Sequence, residues 1–188
     1  MRILLAAGGT SGHINPALAI AQDFQKRHPD WEIAFAGNPD GIEGKLIPQA
    51  DFKLFPLEVR GFRRSFSPAA LKYNTGAVLR LMKALPGATR ILRQYKPDLV
   101  VGGGGYVSGP IVYQAARQGI PTMIHEQNAF PGVTTKLLSR KVDVVLLPVE
   151  KAGEYLPKAK KKVLVGNPVR NAFFTLQKAE ARSLLGID

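Results

Sequence analysis

Seven short apolar runs, continuous rather than alternating, constrain this chain most. They fall at 2–7, 32–36, 53–57, 98–102, 121–125, 143–147 and 162–165. Strands without polar alternation are buried on both faces, as in a parallel sheet covered by helices. Helical patterns lie between most of them, at 16–28, 42–49, 68–85, 87–95, 108–118 and 132–140. Repeated βα units of this kind imply an α/β fold with a Rossmann-like, doubly wound parallel sheet. Asn15 and Pro16 suit the cap and first position of the first helix. Pro86-Gly87 reads as a break between two helices, and Lys96-Pro97-Asp98 as a helix stop that launches a strand. Lys178 to Asp188 reads as a short helix with Gly186 past its end.

Two of the strands run straight into glycine. Ile3-Leu4-Leu5-Ala6-Ala7 leads to Gly8-Gly9-Thr10-Ser11-Gly12-His13, and Leu99-Val100-Val101 leads to Gly102-Gly103-Gly104-Gly105-Tyr106-Val107-Ser108-Gly109-Pro110. Glycine lets the backbone bend sharply and lets a ligand approach the peptide N–H groups. A helix that follows adds unpaired donors and a partial positive charge. In parallel sheets ligands sit beyond the carboxyl ends of the strands, near the switch point of strand order. Two such turns on one edge point to a phosphorylated ligand, first of all a diphosphate. The first turn lacks the glycine spacing of the dinucleotide fingerprint, and no Gly-Lys-Ser/Thr closes it as a P-loop would.

His13 stands at the tip of the first turn, where the helix field disfavours imidazolium. A neutral imidazole there can take a proton from a sugar hydroxyl, or can simply tie down the loop backbone. His125-Glu126-Gln127-Asn128 closes a strand with four polar residues. They either point into the same crevice or form a buried network that holds the loop. His28, beside Pro29, reads as a surface residue at a helix end. Three histidines, no cysteine and no carboxylate pair at ligand spacing argue against a protein-built metal site. No Gly-x-Ser-x-Gly elbow supports a hydrolase triad.

The chain of 188 residues has 26 Lys and Arg against 14 Asp and Glu, a net charge of +12, which favours an anionic partner. From Lys53 to Lys96 ten basic residues meet one acid, Glu58. Leu71, Lys72, Leu79, Arg80, Met82 and Lys83 form a candidate membrane patch within it. The competing reading is a core-facing stripe with a solvated basic back. Nucleic acid is a poor partner, because neither an RNA-binding aromatic motif nor a helix-turn-helix signature is present. No segment approaches the ~20 apolar residues of a membrane span, the first apolar run is too short for a signal peptide, and a cytosolic setting fits.

Four motifs occur in order: Gly8-Gly9-Thr10-Ser11-Gly12-His13-Ile14-Asn15-Pro16, Gly104-Gly105-Tyr106-Val107-Ser108-Gly109-Pro110, His125-Glu126-Gln127-Asn128 and Gly166-Asn167-Pro168-Val169-Arg170. Together they resemble the MurG family, the bacterial N-acetylglucosaminyltransferases of peptidoglycan synthesis. The resemblance implies the amino-terminal half of a two-domain GT-B fold. It implies inverting transfer of N-acetylglucosamine from UDP-N-acetylglucosamine to the 4-hydroxyl of the muramyl sugar of lipid I, giving lipid II at the cytoplasmic face of the membrane. No cofactor is implied. His13 would match the proposed base. Thr10, Ser11, Gly12, Asn128 and Arg170 would match donor-contacting positions. Gly9, Gly104, Gly105, Tyr106, Ser108, His125, Glu126 and Gln127 would match the acceptor side. Ser11 departs from the glycine more usual in the family.

The family needs a second Rossmann half that these residues do not contain. The expectation is therefore an acceptor-binding domain over 1–170, a linker and helix over 171–188, and little activity without a donor-binding half. A stand-alone module for anionic lipid or nucleotide sugar is the alternative.

Overall fold

The computed structural model describes residues 1–59, 84–170 and 177–187. Among them seven strands form one parallel sheet in the order β3-β2-β1-β4-β5-β6-β7. The strands are β1 (Arg2–Ala6), β2 (Glu32–Gly37), β3 (Lys53–Pro56), β4 (Leu99–Gly102), β5 (Thr122–His125), β6 (Val144–Leu147) and β7 (Lys162–Leu164). The helices between and after them are α1 (Ser11–Arg27), α2 (Glu43–Gln49), α3 over 84–95, α4 (Gly105–Arg117), α5 (Val133–Leu138), α6 (Glu150–Glu154) and α7 (Lys178–Leu185).

Burial follows the pleat. Ile3, Leu5 and Ala7 pack on one side of the sheet with α1 residues Ile14, Ala17 and Leu18. Leu4 and Ala6 pack on the other with Ala88 and Leu92 of α3 and Ile111 and Val112 of α4. Both faces of β1 are fully buried, which explains its unbroken apolar run. Each Leu or Ile buried this way stabilises the fold by about 1.5–3 kcal/mol.

All seven expected strands are present, with ends shifted by at most one residue. The helix starts differ more. α1 begins at Ser11, not Pro16, with Thr10 as its cap; the Thr10 carbonyl accepts from the His13 and Ile14 N–H groups at 3.1 and 3.2 Å. Pro16 therefore sits in the second turn, where it removes one helical hydrogen bond. α4 starts at Gly105, three residues early, because Gly104 at φ +89° turns the chain straight from strand to helix. Pro110 occupies the sixth position of α4, as Pro16 does in α1.

α3 runs through Pro86 and Gly87 without the expected break. Pro86 falls in the first described turn of α3, and its ring-fixed φ suits a helix. Gly87 lets the helix approach Leu57, whose Cδ1 would lie 3.0 Å from an added Cβ. The Leu85 carbonyl accepts from Thr89 Oγ1 and Gln114 Nε2. α6 had no sequence signal. The helical pattern over 68–85 and the whole membrane patch, Leu71 to Lys83, lie almost entirely outside the described residues. Within α3 the apolar face, Ala84, Ala88, Ile91 and Leu92, is buried, while Arg90 and Arg93 are exposed. α7 ends as expected, with Gly186 left-handed at φ 62°.

Candidate active site

Strand order reverses between β1 and β4, so the two glycine turns leave the sheet side by side. They touch. Gly9, at φ +89°, backs onto the Tyr106 ring, where a Cβ would stand 2.7 Å from Cε1. The Cα of Gly105 faces the Gly8 carbonyl so closely that an added Cβ would collide with it. Neither α1 nor α4 has a side-chain cap or an acid in its first turn. Their first-turn N–H groups and positive dipole ends thus meet at one place, an arrangement suited to an anion. Gly9, Thr10, Ser11 and Gly12 are exposed at this lip.

Glu43, fully buried at the start of α2, fastens the first turn from below. Its Oε2 accepts from the Gly9 N–H at 3.2 Å and its Oε1 from the Asn38 N–H at 3.2 Å. Gly8, Gly37 and Gly41 crowd around its side chain. Sequence reasoning missed this residue; the glycines gathered near one acid are the signal that could have found it.

His13 is half-buried, and its Nδ1 lies 2.9 Å from Gln127 Oε1. Gln127 Nε2 lies within 3.1 Å of the Gly103 carbonyl, the His125 carbonyl and His125 Nδ1. His125 Nε2 donates to the Gly166 carbonyl at 3.0 Å, and Asn167 Nδ2 to the Gln127 carbonyl at 3.1 Å. All four sequence motifs therefore join through Gln127 and its neighbours. Asn167 and the Gly103 carbonyl were not foreseen in this role.

Other expected site residues are placed differently. Ser108 is buried, and its hydroxyl donates to the Gly105 carbonyl at 2.9 Å. Glu126 is a buried clasp. Its Oε1 accepts from the Gln127 and Asn128 N–H groups and from Asn128 Nδ2, and its Oε2 from the Gly132 N–H. Asn128 is exposed although its amide leans on Glu126, and Arg170 is exposed beyond β7. His28 caps α1 and stacks on Trp31, with ring centroids 3.9 Å apart. Among the described residues no group of three or more His, Asp or Glu is placed to hold a metal, and no helix is long and apolar enough to cross a membrane.

Burial pushes His125 below its ordinary value of 6.5, against the opposing pull of the Gly166 carbonyl and Glu126. Burial acts to raise Glu126, but hydrogen bonds from Thr135, Asn128 and Gly132 outweigh it and hold the carboxyl below 4.5. Both shifts make acid destabilising. Below pH 6.5 the unfolded chain takes up a proton that folded His125 refuses, so stability falls until the buried ring titrates. The Glu126 contribution is present above 4.5 and is lost as pH drops through its folded value. Urea midpoints measured across the acid range should decline in these two stages, and Glu126→Gln should flatten the lower one.

Residues 3–147 match the glycosyltransferase family 28 N-terminal domain. The chain belongs to glycosyltransferase family 28. Within that family it is 46% identical, over its full length, to the UDP-N-acetylglucosamine–N-acetylmuramyl-(pentapeptide) pyrophosphoryl-undecaprenol N-acetylglucosamine transferase of Acetivibrio thermocellus, covering 50% of that protein. The like-named enzyme of Ruminiclostridium cellulolyticum is 45% identical with the same coverage. The crystal structure of Acinetobacter baumannii MurG superposes with a TM-score of 0.70 at 32% identity, covering 92% of this chain and 47% of that one. The chain spans about half the length of the curated relatives it matches. Its sheet is the Rossmann-like half of a GT-B glycosyltransferase, as its motifs implied.

Proposed function

We propose that this chain is the acceptor-binding half of an inverting transferase that moves N-acetylglucosamine from UDP-N-acetylglucosamine to lipid I, with His13 as general base. The observation that carries the reading is the meeting of His13 with two uncapped helix N-termini at one sheet edge. In this mechanism the lipid I diphosphate rests against the first-turn N–H groups of α4, beside Gly104, Gly105 and Tyr106. The muramyl 4-hydroxyl attacks the anomeric carbon, its proton passes to His13 Nε2, and UDP departs with the bonding electrons. General-base help of this kind contributes about 10²–10⁴-fold.

Thr10, Ser11, Gly12, Asn128 and Arg170 reach the nucleotide sugar together with a donor-binding half. Transfer needs both substrates in attack geometry, and one side of a cleft cannot supply that. The basic stretch from Lys53 to Lys96 suits an anionic membrane surface, where each cation contributes about 1 kcal/mol. On this reading the protein sits peripherally at the cytoplasmic face of the membrane.

The test is transfer to a soluble lipid I analogue by the chain alone and with a carboxyl-terminal half supplied from a relative. Product is expected only from the pair. Strong transfer by the chain alone would remove the need for a second half. Tight binding of the nucleotide sugar without acceptor binding would favour a stand-alone nucleotide-sugar module.

A further inference from the structure

The hydrogen bonds under the site have one consistent polarity, fixed by backbone carbonyls. The Gly166 carbonyl can only accept, so His125 Nε2, 3.0 Å away, carries a hydrogen. His125 has no exposed surface and sits among neutral partners on its ring nitrogens, so its Nδ1 is the acceptor. Gln127 Nε2 lies 3.0 Å from that Nδ1, 2.8 Å from the Gly103 carbonyl and 3.1 Å from the His125 carbonyl. An amide oxygen in that place would face two carbonyl oxygens and a ring lone pair. The amide is therefore held in one orientation, with nitrogen toward these three acceptors and Oε1 toward His13. His13 Nδ1, 2.9 Å from Oε1, must be the donor of that bond.

We infer that Gln127 is a positioning residue that fixes His13 as its Nδ1–H tautomer and so reserves Nε2 as the basic nitrogen. The significance of this rests on the base assigned to His13 above; the tautomer itself does not. A histidine's tautomer is set by the bond its other nitrogen makes. An unconstrained neutral imidazole in water favours the hydrogen on Nε2, which would cap the atom that has to accept a proton. Among the described residues nothing else bonds either ring nitrogen of His13. The glycines complete the device: the ring lies over Gly104 and Gly105, where added Cβ atoms would stand 2.6 Å from Nδ1 and 3.3 Å from Cδ2. The sequence places Gln127 among the acceptor contacts, yet both ends of its side chain are committed within the protein.

Long-range ¹H–¹⁵N correlation spectra of the ¹⁵N-labelled chain, taken above the histidine titration range, read each tautomer directly. With three histidines in the chain, the patterns are few and assignable. His13 should show Nδ1–H as the dominant species and His125 the opposite, Nε2–H. In Gln127→Leu the Nδ1–H pattern of His13 should fall from dominant to minor while His28 stays unchanged. A His13 that is mainly Nε2–H in the unsubstituted chain overturns the inference, and that measurement needs no variant to fold. Persistence of the Nδ1–H pattern in Gln127→Leu overturns it equally. Should the assembled enzyme keep full turnover in His13→Ala, the base assignment fails while the tautomer result stands, so the two ideas fail separately.

Discussion

His13→Ala is expected to lower transfer turnover by about 10²–10⁴-fold in an enzyme assembled from both halves, the range of a lost general base. The same change should cost the fold little. His13 is half-buried and among the described residues makes one side-chain hydrogen bond, to Gln127, so the loss is about 1 kcal/mol. The Gln127 oxygen left behind lies beside an exposed lip that water can reach. Acceptor affinity should also hold, because the first-turn N–H groups of α1 and α4 belong to the backbone. The expected signature is thus a kcat loss at nearly constant KM for the acceptor, with a urea midpoint lowered only by that small amount. Turnover at the unsubstituted level would leave the histidine a loop fastener. A parallel fall in stability and turnover would assign the loss to folding.

The sheet was legible because its signal is local. A strand buried on both faces writes a continuous apolar run, and all seven appear where the runs are. Helix starts were less legible, because a proline near a helix start need not mark its first position. Asn15-Pro16 makes a plausible start, yet Thr10 caps α1 and Pro16 falls in its second turn. The two glycine turns were readable as a ligand edge, and the β1–β4 pairing brings them together. What each polar side chain does there was not readable. Ser108, Glu126 and Gln127 carry donors and acceptors that suit a diphosphate, and the sequence cannot say that the protein itself uses them. Their partners include backbone groups, the Gly105 carbonyl, the Gly132 N–H and the Gly103 carbonyl, whose positions only the folded chain defines. Glu43 was silent for the same reason: as a first-turn acid of α2 it looks ordinary, and its role comes from the Gly9 N–H in a different unit.

The contact between the two turns predicts a second large effect, and the chain contains its own control. Gly105 has φ +76° and Gly119 has φ +71°, so alanine meets a positive-φ backbone penalty at both, on the order of 1–2 kcal/mol. Nothing lies within 4 Å of the Cβ position at Gly119. At Gly105 the Cβ meets the Gly8 carbonyl, a backbone atom that cannot rotate aside. Relief requires moving the first turn away from the second, against the Glu43 bond to Gly9 and the packing of Gly9 on Tyr106. Gly119→Ala should therefore lower unfolding stability by only the backbone penalty, and Gly105→Ala by about 2 kcal/mol more. Because the same movement separates the helix N-termini and lifts Gly105 from the His13 ring, Gly105→Ala should also abolish acceptor binding while Gly119→Ala leaves it intact. Equal stability costs at the two positions would mean that the turns do not touch. The shared anion site, which depends on that contact, would then be lost with it.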